Sequence, residues 1–312
     1  MATLLLPAGA NNIVNAARLL LAGELVAFPT ETVYGLGANA QNPNAVAAIF
    51  TAKGRPNTNP IIVHVANKEA AQELVSAWPA IADALATAFW PGPLTLVLRK
   101  SDRVPDVITA GGDTVAVRMP AHPIALRLLQ EAGVPIAAPS ANRSGELSPT
   151  TAEHVLASLN DRIPMILDGG PCPGGLESTV LDLCSNPPRL LRPGLITKVQ
   201  LERIVGPILI GGSSETVARS PGMLVKHYSP RTRLVLVAPH QDFTEVLNQL
   251  ERTGLRVTEY QLAPDAVIAS SRLYADLHEL DAAGWDRILV RLPPDDDTWR
   301  ALRDRLSRAA AQ

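Results

Sequence analysis

Two cysteines in 312 residues, Cys172 and Cys184, cannot build a disulfide framework, and no Cys/His spacing matches a zinc site. No apolar run approaches the roughly 18 residues that a membrane span needs. The opening Met1-Ala-Thr-Leu-Leu-Leu-Pro7 has no basic flank and is too short for a signal peptide. Excess charge is missing too: 28 Lys plus Arg stand against 30 Asp plus Glu, a net of −2. Through Gly206 the chain carries 15 basic and 16 acidic residues, leaving 13 and 14 beyond it. Neither half has the basic excess of a protein that holds nucleic acid by phosphate contacts, so a polynucleotide partner is transient or indirect. These absences lead us to expect a soluble cytoplasmic protein with no membrane partner. What is present is apolar material, 46% of the chain, against 19% charged residues. That is the composition of a packed core, not of a disordered chain.

Short apolar runs alternate with helical patterns, which predicts an α/β fold. Strands are expected at 25–28, 61–65, 94–98, 114–118, 135–138, 179–183 and 189–192. Helices are expected from Asn11 or Asn12 to Gly23, from Pro43 to Lys53, and at 68–76, 79–89 and 122–132. Ser148-Pro149-Thr150 reads as a helix start. Near Pro207 the texture changes to Gly, Ser and Pro punctuation. A second alternation then gives strands at 233–237, 255–260 and 287–291 and helices at 240–253, 271–283 and 297–309. The chain therefore divides into a domain over 1–206, a linker over 207–231 and a small α/β domain over 232–312. Asp295-Asp296-Asp297 reads as acidic residues at a helix start, not a metal site.

Polar residues cluster where strands end. In Phe28-Pro-Thr-Glu-Thr-Val-Tyr-Gly-Leu-Gly37, the hydroxyls of Thr30 and Thr32 follow a strand, where open α/β sheets place ligands. A turn that satisfies its own threonines is the other reading. Lys53-Gly-Arg-Pro56, with Asn57 beyond it, offers a point charge and a fork suited to a polyphosphate. A solvated helix C-terminus would look the same. Pro139-Ser-Ala-Asn-Arg-Ser-Gly145 can wrap anion oxygens with hydroxyls, amides and backbone N–H groups, but is not a Walker loop. Gly175-Leu-Glu-Ser-Thr179 and Leu191-Arg-Pro-Gly194 repeat the theme. Arg118 ends an apolar strand and suits a carboxylate; His64 sits within another, as a ligand or as a core histidine. Lys226-His-Tyr-Ser-Pro230 lies between Gly/Pro hinges, as a lid would or as the polar filler of a connector. No Ser-His-Asp order and no nucleophile elbow is evident. The inventory favours binding and orienting anions over covalent catalysis.

Taken in order, these segments resemble the threonylcarbamoyl-AMP synthase family of YrdC type. The stretches that carry the resemblance are F-P-T-E-T-V-Y-G-L-G, K-G-R-P, D-T-V-A-V-R-M-P-A-H-P, A-P-S-A-N-R-S-G, S-P-T, E-S-T-V, L-R-P-G and P-G-M-L-V-K-H-Y-S-P. They span about residues 24 to 230, and the last marks the longer, two-domain form. The resemblance implies an open twisted mixed α/β sheet and a C-terminal Rossmann-like domain. It implies a nucleotidyltransferase that condenses L-threonine, bicarbonate and ATP into threonylcarbamoyl-adenylate and pyrophosphate. A threonylcarbamoyl-transferase complex would then carry the group to tRNA. The threonine pocket would fall at Thr30, His64, Arg118 and Ser178. ATP would be met by Lys53, Arg55, Asn57, Thr114, Ala138, Ser140, Asn142, Ser148, Arg192 and, from the linker, Tyr228. Lys53 and Arg55 would be the catalytic cations. Magnesium would arrive on the nucleotide, with no protein side chain as ligand. Domains similar to this one also occur in carbamoyltransferases that adenylate carbamoyl phosphate, but those carry metal-binding motifs absent here.

Overall fold

The computed structural model describes residues 2–211 and 229–311. The strands in chain order are β1 (Leu4–Pro7), β2 (Val26–Phe28), β3 (Gly35–Asn39), β4 (Ile62–His64), β5 (Leu94–Arg99), β6 (Thr114–Arg118) and β7 (Ile136–Ala137). They continue with β8 (Met165–Asp168), β9 (Thr179–Asp182), β10 (Arg189–Arg192), β11 (Leu209–Ile210), β12 (Arg233–Val237), β13 (Val257–Tyr260) and β14 (Arg287–Arg291). Among the described residues the first eleven form one mixed sheet, in the order β1-β8-β2-β3-β7-β4-β6-β5-β9-β10-β11. The last three form a separate parallel sheet, β12-β14-β13.

The central strands β4 and β6 are buried along their whole length because helices cover both faces of the sheet. On one face the helix Ala10–Leu21 buries Ile13, Ala16, Ala17 and Leu20 at helical spacing. They cluster with Leu128 and Leu129 of the helix Pro123–Ala132. On the other, Val46, Ile49 and Phe50 of the helix Pro43–Lys53 pack with Leu85 of the helix Ala80–Phe89. Each fully buried leucine contributes about 2 kcal/mol. The helix Pro43–Lys53 starts on the Asn42 side chain, which accepts from the Asn44 and Ala45 N–H groups, and stops at Gly54 in the left-handed region. That stop turns the chain into the Lys53-Gly-Arg-Pro56 loop.

Register then positions the site. Parallel β4 and β6 pair His64 with Arg118. Paired residues share a face of a sheet, so two polar side chains from apolar strands lie side by side.

The expected strands at 114–118, 189–192, 233–237 and 287–291 and the helix from Pro43 to Lys53 have the observed bounds. Unforeseen elements are β1, β3, β8, β11, the short helix Asp106–Thr109 and the helix Lys198–Val205, which has a Thr197/Gln200 capping box. The sheet also extends past residue 206, because β11 pairs with β10 inside the expected linker. The helix expected at 271–283 begins earlier, at Ala266, where the Asp265 carboxylate caps Val267 and Ile268. Ser270 and Ser271 lie inside that helix.

Candidate functional site

Among the described residues, fourteen from seven segments line one cavity beside the ends of β2, β4, β6, β7 and β10. Seen from the sequence expectations, it gathers Thr30, His64, Arg118 and Ser178 with Arg55, Ala138, Ser140 and Arg192. These are the four residues expected for threonine and four of the ten expected for ATP.

The turn after β2 is built by its own hydroxyls. Thr30 Oγ1 donates to Val33 O at 2.6 Å and accepts from the Thr32 and Val33 N–H groups. Thr32 Oγ1 then donates to Thr30 Oγ1 at 2.7 Å and accepts from Arg118 Nη1 at 3.0 Å. The turn satisfies its own hydroxyls, and in doing so it orients Arg118. Arg118 Nε also donates to Gly92 O at 3.2 Å, and Nη2 lies 2.5 Å from Glu31 Oε1.

His64 is buried against Phe28, edge to face at 6.4 Å. Burial first, and the Arg118 charge second, push its imidazole down to about 3, so it is neutral at physiological pH. Its Nδ1 has no hydrogen-bond partner among the described residues. Ser178 Oγ shares a 2.7 Å hydrogen bond with Thr95 Oγ1 and accepts from Arg192 Nη2 at 3.0 Å. Arg192 Nε donates to Ser178 O, also at 3.0 Å. Gly194 makes this approach possible: a Cβ there would lie 2.4 Å from Thr179 N and 2.7 Å from Ser178 C.

The Lys53-Gly-Arg-Pro56 loop splits its roles. Arg55 lines the cavity and donates to Asn59 O and Pro60 O. Lys53 is buried beside it, and Nζ donates to Ser140 O and Asn142 O, tying the Ser140–Asn142 loop to the helix end. Burial and then Arg55 hold its ammonium well below the usual lysine range. Asn142 is buried, its Oδ1 without a partner among the described residues. Ser148 is fully buried and gives its hydroxyl to Glu177 Oε1 at 2.5 Å. Thr114 starts β6, at the far end from Arg118 and about 13 Å away along the strand. Asn57 is exposed and outside the cavity lining. Tyr228 lies outside the described residues.

Thr32 and Glu177 complete the polar lining. Both stand in motifs visible in the sequence; their roles depend on pairings with Arg118 and with the C-terminal domain that no local pattern encodes. Cys172 is buried, its thiol pushed up to about 12 by burial, and is packing rather than chemistry.

Fold and lining together define an α/β protein whose sheet edge gathers three arginines and several hydroxyls around one cavity. A family described as "Telomere recombination" matches residues 18–194, and one described as "Threonylcarbamoyl-AMP synthase, C-terminal domain" matches 196–311. A threonylcarbamoyl-AMP synthase of Pyrococcus abyssi is 44% identical, over 95% of this chain and 93% of the relative. One of Bacillus subtilis is also 44% identical, over 96% and 92%. The crystal structure of P. abyssi Sua5 complexed with L-threonine superposes with a TM-score of 0.94 at 42% identity, covering 99% of this chain and 98% of that one. The chain belongs to the threonylcarbamoyl-AMP synthase family.

Proposed function

We propose that this protein condenses L-threonine, bicarbonate and ATP into threonylcarbamoyl-AMP and pyrophosphate. The observation that carries the reading is a single cavity lined by Thr30, His64, Arg118 and Ser178 on one side of the chemistry and Arg55, Ser140 and Arg192 on the other. Membership of the synthase family over both domains supports it.

Amino-acid carbamates decompose readily in water, so the site must hold the carbamate while its oxygen attacks the α-phosphorus of ATP. The new P–O bond forms as the bond to pyrophosphate breaks. Such phosphoryl chemistry needs alignment and charge neutralisation more than a protein nucleophile. In this reading Arg118 receives the threonine carboxylate in a charge-assisted pair. His64 stays neutral beside it and adds no competing charge. Ser178, held between Thr95 and Arg192, meets a polar group of threonine. Arg55 and Arg192 face charge that builds on the departing pyrophosphate. Lys53 acts one step back, fixing the Ser140–Asn142 loop through two carbonyls. Asn57, Thr114, Ser148 and the linker residue Tyr228 complete the expected nucleotide contacts.

Magnesium bound to the triphosphate would neutralise phosphate charge. The lining offers it little: Glu177, its one carboxylate among the described residues, is committed to Ser148, Tyr274 and Arg305. The metal would therefore be held by phosphate oxygens rather than by protein. The adenylate would pass to a threonylcarbamoyl-transferase complex, with tRNA an indirect or transient partner, in the cytoplasm. Among the described residues no helix is long and apolar enough to cross a membrane.

Mass spectrometry of products from threonine, bicarbonate, magnesium and ATP tests the reading. Threonylcarbamoyl-AMP with pyrophosphate is expected. Adenylate formed from carbamoyl phosphate but not from threonine and bicarbonate would overturn it.

A further inference from the structure

The C-terminal domain reaches the cavity through the Glu177 carboxylate. Glu177 is buried and lines the cavity beside Ser178. It accepts from Arg305 Nε at 2.7 Å and from Tyr274 OH at 3.2 Å, both from the C-terminal domain. From its own domain it accepts the Ser148 hydroxyl. Arg305 has no exposed surface at all. Its guanidinium spans the gap between two loops of the large domain: Nε binds Glu177, while Nη2 donates to Pro193 O at 3.0 Å. Asp304 holds the third nitrogen, Nη1, at 2.6 Å. The residues next to those two anchors are Ser178 and Arg192, which are hydrogen-bonded to each other and both line the cavity.

The domain contact around this point is close-packed. A Cβ on Gly175, whose φ is +67°, would lie 2.2 Å from Ser271 O. His278 Nε2 lies 3.2 Å from Ser148 O, and His278 stacks on His154 at 3.8 Å. Val33, Leu147 and Leu176 share an apolar cluster with Leu273, Tyr274 and Leu306.

We infer that Arg305 is a positioning residue for the synthase site: by satisfying Glu177 from the C-terminal side, it leaves Arg192 and Ser178 set for nucleotide and threonine. The physical reason is competition between cations for a buried charge. Burial pushes the Glu177 carboxyl up, but Arg305, then Arg192 and the Ser148 hydroxyl, together outweigh it and keep the carboxyl below its usual range. A buried carboxylate that loses its partner is strongly unfavourable and recruits the next cation available. Without Arg305 that cation is Arg192, and drawing it toward Glu177 withdraws it from Ser178 and from the nucleotide. This is a role for the C-terminal domain at the chemistry itself, and it rests on reading the cavity as the nucleotide and threonine site.

The test uses the full chain and reads ATP affinity by calorimetry alongside steady-state kinetics. Arg305→Met is expected to weaken ATP binding and raise its half-saturation on the order of tenfold, with a smaller fall in kcat. Adding Glu177→Gln removes the stranded charge, so the double variant is expected to recover most of that loss. Tyr274→Phe deletes one hydrogen bond without a cavity and should raise the ATP constants about threefold; it serves where Arg305→Met does not fold. A role confined to holding the domains together would lower the melting temperature of these variants but leave ATP affinity intact at temperatures well below it. Unchanged ATP affinity in a folded variant, or a double variant no better than Arg305→Met, overturns the inference. Wild-type protein that binds ATP yet yields no threonylcarbamoyl-AMP would instead sink the proposed reaction, and the calorimetric comparison would still decide whether Arg305 governs the nucleotide site.

Discussion

Arg118 Nη2 and Glu31 Oε1 lie 2.5 Å apart, an ion pair whose arginine side chain is almost wholly buried. The contact is ionic without being a well-aligned hydrogen bond: among the described residues neither Glu31 oxygen nor Nη2 has a partner of good geometry. The protein thus carries its own carboxylate against the guanidinium that we assign to the carboxylate of threonine. The two would compete for one fork.

That competition gives opposite signs for two substitutions. Arg118→Ala should raise the threonine half-saturation on the order of a hundredfold, since charge-assisted pairs are the strong ones. Glu31→Gln should lower it about threefold, because an amide releases the fork more easily than a carboxylate does. Steady-state kinetics with threonine as the varied substrate reads both. A rise in Glu31→Gln would mean that Glu31 holds Arg118 in place instead of competing for it.

The two cations of the Lys53–Arg55 loop should fail differently. Arg55 lines the cavity, so Arg55→Ala should lower kcat on the order of a hundredfold if its transition-state contact is worth about 3 kcal/mol. Lys53 holds the Ser140 and Asn142 carbonyls, so Lys53→Met should damage ATP half-saturation and kcat together. Faster proteolysis within 140–145 should accompany the Lys53 change and not the Arg55 change. Near-wild-type kinetics would remove Arg55 from the anion site, or Lys53 from the support of the Ser140–Asn142 loop.

These contrasts show what the sequence could and could not reveal. Strand ends made Thr30, Arg118, Ser140, Ser178 and Arg192 candidates and the loop after a helix made Arg55 one, because polar residues there interrupt an apolar alternation; the family resemblance gave them their roles. Local pattern also found strands rich in branched residues, such as β6 and β12. It missed β3, Gly35-Leu-Gly-Ala-Asn39, whose two glycines read as a turn although the strand is buried between β2 and β7. Lys53 reads as a phosphate cation beside Arg55, and Ser148 and Thr114 come from the family resemblance. Their side chains turn to a backbone loop, to Glu177 and to the far end of β6, which only tertiary packing decides. Glu177 stood in plain view within Gly175-Leu-Glu-Ser-Thr179, but its partner Arg305 lies 128 residues away.

Gly194 should tolerate no side chain. Its Cβ would meet Thr179 N at 2.4 Å, Ser178 C at 2.7 Å and Glu177 O at 2.8 Å, all backbone atoms that cannot swing aside. Gly194→Ala must therefore move the segment that carries Ser178. Displacement of about an ångström costs on the order of a hundredfold in rate. Gly9, where a Cβ meets nothing, is the control, and Gly9→Ala should keep full activity. Equal activity in the two variants would show that the Gly194 contact relaxes without disturbing Ser178.

His64 should make stability depend on pH. Its imidazole titrates near 6.5 in the unfolded chain, but in the folded protein burial, with help from Arg118, pushes it down to about 3. Below pH 6.5 the unfolded state therefore binds more protons than the folded one. The stability associated with a neutral His64 is fully present above that pH and is lost progressively as pH falls toward 3. Each pH unit in that window is worth about 1.4 kcal/mol, so acidification from 6.5 to 5 should cost about 2 kcal/mol through this residue. Urea unfolding across that range, wild type against His64→Gln, isolates the effect. His154, pushed down to about 4 by burial and by His278, titrates in the same window, but it is common to both proteins and cancels. The glutamine variant should be less stable at neutral pH and have the flatter pH dependence. Parallel slopes would mean that His64 gains a proton in the folded state, which would place a charge beside Arg118 and undo its assignment as the neutral neighbour of the carboxylate fork.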